Sequence, residues 1–460
     1  MGVIGEEKDR LQSLLSMVRS ALATPTRRRL ASGAFWSSLA GLFARILAMA
    51  TSFVIARFLG RERFGEYGMI LSTVTLTQTL ATMGIGMTAT KFTAEFRNKD
   101  PDRAGRLITL STVLTLVTGA CASLFFLVFS NWLATSTLAA PHLAGLLRLS
   151  ALVVLLGVMN SVQNATLAGF EAFKATAYLS AIAGVLQSVL ILIGCRLAGM
   201  PGLIVAITVS MLGTVALGRV LLSREMGRAN IKLNWSPTSA EWRVLCQFSV
   251  PAFLAALMVD PVLWACSALL AHQSNGYREL GAFNAANQWY SAVQFLPVML
   301  GAAILPVLSE RYGAGDLDGS LRVMKTMMGV TAAVVVPIVA ALCLFSQQIM
   351  GGYGPSFRDS YLTLILTAVT AGLISIVSPV GMFIAASNRM WIGLTMNLGW
   401  AVILVFSTIV LLPRGANGLA GGRLLATAAH SIWIFGYVVI TARRHRRQGP
   451  HDPAATARQT

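Results

Sequence analysis

Charge is scarce in this sequence, and acidic charge is scarcest: Asp and Glu supply 18 of 460 residues against 36 Lys and Arg, and the four types together make up 12%. With 55% of residues apolar and a mean hydropathy of +0.68, too few polar groups remain to cover a water-soluble surface of this size. Lipid is therefore the solvent for most of the chain. Cysteine is also sparse. Cys121, Cys195, Cys246, Cys266 and Cys343 each lie within or at the edge of an apolar run, with no CxxC pair and no neighbouring histidine. They read as small buried hydrophobes rather than metal ligands. Catalytic signatures are missing: no Walker sequence, no HExxH, no GxSxG and no large outer loop in which reactive groups gather. These absences disfavour an enzyme, and no cofactor or metal is expected.

Apolar runs of membrane-spanning length fill nearly the whole chain. A helix needs roughly 20 apolar residues to cross the hydrocarbon core. Windows of that kind fall at about 33–58, 64–88, 105–130, 144–168, 173–195, 201–222, 243–269, 280–306, 322–346, 358–385, 390–412 and 417–441. The runs are continuous rather than alternating, so the class is all-α, a polytopic bundle of about twelve helices. The longest internal connection, 223–242, separates six spans from six. The organisation is then a leader (1–32), an N-terminal six-helix bundle (33–222), a linker (223–242), a C-terminal six-helix bundle (243–441) and a basic tail (442–460). The leader is not a secretory signal, because its first long apolar run is already a full span. Leu11, Leu14, Leu15, Val18 and Leu22 recur in it at helical spacing beside Lys8, Arg10 and Arg19, the pattern of an amphipathic helix on a membrane surface.

Basic residues fix the expected orientation. Alternate connections hold 26 of the 36 Lys and Arg, and the opposite set holds nine; one, Arg45, is read as lying inside a span. Positive charge is retained on the cytoplasmic side, so both termini are expected there, which an even number of spans permits. The net charge of +18 sits in short loops at helix ends, where topology and anionic lipid account for it. No nucleic-acid partner is expected.

The two halves carry a weak internal repeat. Gly60-Arg61-Glu62-Arg63-Phe64-Gly65-Glu66-Tyr67-Gly68 follows the first span, and Tyr277-Arg278-Glu279-Leu280-Gly281-Ala282-Phe283-Asn284 follows the seventh, so that Gly65 aligns with Gly281. Arg45 and Asp260 stand nearly the same distance before those glycines. A charge near the bilayer centre costs at least about 2.5 kcal/mol unless it meets water or a partner. Asp260 precedes Pro261, which removes a backbone donor and bends a helix. It is the candidate for binding a proton or cation, and pairing with Arg45 is the structural alternative. Arg45 shares a helical face with the small residues Ser38, Gly41, Ala48 and Ser52, and its planar, permanent cation suits a phosphate.

Further polar stripes cross the spans. Asn284, Asn287, Gln288, Ser291 and Gln294 share a face in the eighth span, with Trp289 and Tyr290 between them. Amides beside aromatic rings suit sugar, although they serve equally as interhelical glue. Shorter clusters, Asn160, Gln163 and Asn164 and then Thr75, Gln78, Thr79 and Thr82, favour packing. His430 in the last span favours a bond to a neighbouring helix over proton relay.

Several short segments resemble one family. They are Ala34-Phe35-Trp36-Ser37, Leu59-Gly60 with Phe64-Gly65-Glu66-Tyr67, Lys91-Phe92 with Glu95, Leu167-Ala168-Gly169-Phe170-Glu171-Ala172-Phe173-Lys174, Gly281-Ala282-Phe283-Asn284-Ala285-Ala286 and Pro306-Val307-Leu308-Ser309. In order and spacing, over about residues 30–440, the chain resembles the polysaccharide or oligosaccharide-lipid flippases of the superfamily that also holds the MATE exporters. The resemblance implies two six-helix bundles around a V-shaped cationic cavity and alternating access in the bacterial cytoplasmic (inner) membrane. It also implies a polyprenyl diphosphate-linked oligosaccharide as cargo, with a polysaccharide polymerase and a chain-length regulator as partners. Arg45, Asn284, Asn287, Gln288 and Gln294 are the expected substrate contacts, and Asp260 is the ion-coupling candidate. The alternatives are a cation-coupled MATE-type exporter of small molecules and a membrane polymerase or ligase of lipid-linked sugars.

Overall fold

The computed structural model describes residues 25–235, 259–387 and 390–448. Every regular element in it is helical, as a backbone in lipid must be when it satisfies its own hydrogen bonds. The run Pro25–Thr82 breaks at Gly60 (φ 75°, ψ 171°) into α1 (25–59) and α2 (61–82). After Met83 and Gly84, both with positive φ, come α3 (Ile85–Phe96), α4 (Pro101–Trp132) and α5 (Ala144–Gly169). The run Phe173–Arg228 breaks at Ala198 and Gly199 into α6 (173–197) and α7 (200–228). The second half holds α8 (Asp260–Ala271), α9 (Gly276–Gly313), α10 (Leu317–Leu344), the short α11 (Ser346–Tyr353), α12 (Tyr361–Ala386), α13 (Met390–Leu411) and α14 (Gly415–Gln448). Seven runs among the described residues are long and apolar enough to cross a membrane, and the three longest, Leu39–Thr82, Phe173–Arg228 and Ile392–Thr441, each hold two segments. With α8 and α9 the segments number twelve.

Helix ends outrun the apolar windows read from the sequence. Helix α7 reaches Arg228, α9 spans Gly276–Gly313 and α14 reaches Gln448, because hydropathy reports contact with lipid whereas a helix continues into water. At the basic end, side chains start new helices. Asp100 accepts from the Arg103 amide at 2.9 Å and Asp316 from the Gly319 amide at 2.8 Å, each filling a donor that a helix start leaves open. Most of the leader (1–24), residues 236–258 with Pro251 and Cys246, and the tail from 449 lie outside the described residues.

Burial is arranged for an apolar solvent. Large apolar side chains such as Leu197, Phe406 and Ile432 are more than two-thirds exposed, while threonines such as Thr88, Thr166 and Thr363 are almost fully buried. Small hydroxyl residues between helices permit close packing and interhelical bonding in lipid.

The repeat read in the sequence has a physical counterpart. Helices α2 and α9 run parallel along the junction of the two halves, with Gly65 on Gly281 and Gly68 on Asn284. A Cβ on Gly65 would stand 1.9 Å from the Tyr277 carbonyl oxygen, and one on Gly281 would stand 2.0 Å from that of Arg61. Only glycine allows this approach. Helix α1 runs along α9 in the opposite sense, through Ser52 with Gln288 and Arg45 with Phe295.

Candidate functional site

Polar contacts between the halves gather at the end that carries Gly60, Gly276 and Gly354, hereafter the closed end. Arg61 Nη2 meets Glu279 Oε1 at 2.9 Å, and the same guanidinium donates to the carbonyls of Arg278 (2.8 Å) and Ser356 (3.1 Å). Arg57 donates to the Gly352 carbonyl at 2.8 Å and the Tyr277 hydroxyl to that of Leu138 at 2.6 Å. Beneath them Phe53 stacks on Tyr353 at 4.0 Å between ring centroids, and Phe64 meets Phe357 edge-on at 5.9 Å. These rings exclude water from the closed end.

Deeper along the junction lies a cavity of about 260 Å³ walled by α2, α8, α9, α13 and α14. Its polar groups are Ser72 and Thr75 from α2, Asp260 and Ser267 from α8, Asn284 and Asn287 from α9, and Arg423 from α14. Arg423 is the residue on which its chemistry turns. Its side chain is 7% exposed, Nη1 donates to Asn287 Oδ1 at 2.8 Å, and its guanidinium lies 3.8 Å from the centre of the Tyr290 ring. The described residues supply it with no carboxylate within ion-pair distance. A buried cation held by a neutral amide and a ring face keeps its electrostatic capacity for an anion. The neighbouring Asn284 Nδ2 is buried with no hydrogen-bond acceptor.

The residues singled out in the sequence separate into two groups. Asn284, Asn287 and Asp260 line this cavity. Gln288 does not; it donates to the Ser52 hydroxyl and accepts from the Tyr353 hydroxyl at 3.2 Å. Gln294 donates to the Ala371 carbonyl at 3.4 Å. Both serve as glue, as does Gln78, which donates to the Val153 carbonyl at 2.9 Å, whereas Asn164 bonds Asn160 within its own helix.

Arg45 and Asp260 are not an ion pair. Arg45 lies 5.9 Å from the centre of the Phe295 ring on α9, and the exposed Asp260 stands 3.5 Å from the Thr79 hydroxyl on α2. Thr79 and Phe295 are themselves repeat-equivalent positions, in the same register as Gly65 and Gly281. The two charges thus occupy corresponding seams, α1 against α9 and α8 against α2. The sequence singles out Arg45 rather than Arg423 as the intramembrane cation, because Arg423 sits near the start of its span among what look like loop charges.

The comparisons with known proteins agree with this geometry. Residues 30–311 match the family described as polysaccharide biosynthesis protein. The chain belongs to that family. Among its relatives is the EPS I polysaccharide export inner membrane protein EpsE of Ralstonia nicotianae, 24% identical over 338 residues that cover 73% of this chain and 77% of EpsE. Two solved structures share the fold. A MOP superfamily transporter from Pyrococcus furiosus superposes with a TM-score of 0.68 at 15% identity, covering 90% of this chain and 96% of that one. A MATE family multidrug resistance transporter in an inward-facing conformation gives 0.66 at 17%, covering 87% and 96%. The family member described here therefore has the twelve-helix MOP fold expected from its sequence.

Proposed function

We propose that this protein exports polysaccharide precursors by flipping a polyprenyl diphosphate-linked oligosaccharide across the bacterial inner membrane by alternating access, without catalysing a covalent step. The observation that carries the proposal is Arg423, a buried cation with no carboxylate partner among the described residues, facing a junctional cavity in a member of a polysaccharide biosynthesis family. Its planar donors suit a diphosphate, and the amides of Asn284 and Asn287 beside Tyr290 and Trp264 suit the sugar. The basic end faces the cytoplasm and the closed end faces outward, in keeping with the charge asymmetry. The relationship to EpsE supports polysaccharide as the cargo. A polymerase and a chain-length regulator take up the flipped product.

The test is flipping of a fluorescent lipid-linked oligosaccharide in proteoliposomes. Wild type moves it and Arg423→Gln does not. The reading fails if both move it equally, or if neither does while a lipophilic cationic dye is exported. The second outcome would favour the MATE-type exporter, which the shared fold and the cavity carboxylate of Asp260 also support. On the flippase reading Asp260 is the ion-coupling residue.

A further inference from the structure

A second cavity lies in the N-terminal half, away from the junction. Helices α4, α5 and α7 enclose about 370 Å³, roofed at the basic end by Leu233 and Trp235. Gly105 allows the roof, since a Cβ there would stand 2.1 Å from the Lys232 carbonyl oxygen. The walls are almost wholly apolar and include Val113, Met159 and Val215. Among the described residues, Arg219 is the one charged side chain that lines it.

A small annex continues the space between Thr112, Thr115, Gln163, Thr166 and Arg219. Thr115 is 1% exposed, and its hydroxyl has no hydrogen-bond partner among the described residues; Gln163 Oε1 is likewise buried and unpartnered among them. Two orphaned polar atoms beside the annex, one on α4 and one on α5, carry a cost in lipid that a bound polar group would remove.

Length and position identify the occupant. From Arg219 to Leu212 the wall rises about 10 Å along α7, and from Thr109 to Thr115 about 9 Å along α4. With the roof residues the cavity spans roughly one leaflet of a hydrocarbon core about 30 Å thick. Leu212, which lines it, is apolar and exposed, as on a face turned to lipid. The nearby helix end carries Arg224, Arg228 and Lys232.

We propose that this cavity binds one anionic phospholipid of the leaflet at the basic end. Its phosphate lies on Arg219, the Thr115 hydroxyl donates to an ester carbonyl, and one acyl chain fills the space between α4, α5 and α7. Arginine side chains reach up from within the bilayer to the headgroup level while their stems stay apolar.

Native mass spectrometry of the purified full chain tests this, with phosphatidylglycerol and phosphatidylcholine as probes. Wild type should retain one phosphatidylglycerol under conditions that strip phosphatidylcholine. Arg219→Gln should lower that retention about fivefold, the effect of one basic residue near a membrane surface. Arg224→Gln, on the same helix outside the cavity, should retain wild-type amounts. Ala216→Trp, which fills the cavity, should exclude both lipids. If that variant fails to fold, the two arginine variants decide the question. Equal retention of the two lipids, equal loss in both arginine variants, or no loss in Arg219→Gln would each overturn the proposal.

Discussion

At the scale of single residues, Arg423 sets the expectations. Its Nη1 bond to Asn287 and its stacking on Tyr290 orient the guanidinium plane, so a lysine retains the charge and loses the geometry. Arg423→Lys should therefore recover only part of the flipping lost in Arg423→Gln, read as initial rate in proteoliposomes, with the glutamine variant at least tenfold slower than wild type. A rate equal to wild type in the lysine variant would mean that point charge alone suffices. Arg45 and Asp260 make a different forecast. They face separate seams, so the stability effects of Arg45→Ala and Asp260→Asn should add to within about 0.5 kcal/mol. Mutual rescue in the double variant would show that the two charges meet in some state of the protein.

At the scale of elements, Glu279 joins three parts of the molecule. One carboxylate oxygen takes Arg61 from the other half, and the other accepts from the Ala416 amide at 3.0 Å, at the start of the helix that carries Arg423 two turns on. Helices α9 and α14 run parallel and are tied twice, by Glu279 to Ala416 and by Asn287 to Arg423. A simple ion pair is restored by exchanging its charges. Here the exchange Arg61→Glu with Glu279→Arg would place a cation against a helix N-terminus, which carries partial positive charge. The double variant should thus stay as impaired in transport as Glu279→Ala, and full recovery would reduce Glu279 to a latch. The glycine contact predicts a second effect. Gly65→Ala puts a methyl group into the Tyr277 carbonyl and should weaken the closed end by about 1–3 kcal/mol. A cysteine placed at the buried Phe357 should then react faster with an impermeant thiol reagent; an unchanged rate would mean that the junction absorbs the methyl group.

On the scale of the whole molecule, two six-helix halves meet along α1, α2, α8 and α9, and their polar contacts concentrate at one end. Alternating access needs two such sets of contacts that form in turn. The charge asymmetry predicts the sides. Reporter fusions after residues 100, 230 and 315 should read cytoplasmic, and fusions after 136, 275 and 354 should read external. An external reading at 230 would break the division into six and six.

The class, the number of spans and the repeat are properties of sequence alone, because lipid imposes one rule on every backbone and the length of an apolar run records the thickness it crosses. Hydropathy and spacing also placed Asn284, Asn287 and Asp260 as cavity candidates, since a polar group in a span must face protein or water. They did not show that Gln288 and Gln294 bond other helices while Asn284 and Asn287 face a cavity. All four share one stripe of α9, and what covers each depends on helices that arrive from elsewhere in the chain. Tertiary structure alone assigned the cation. Arg423 looks like a loop charge until α14 packs against α9, 136 residues earlier, and turns it into the junction; Arg45, the cation that the sequence singles out, rests instead on Phe295. Local pattern determines what must be hidden from lipid, and packing determines which hidden groups share a space.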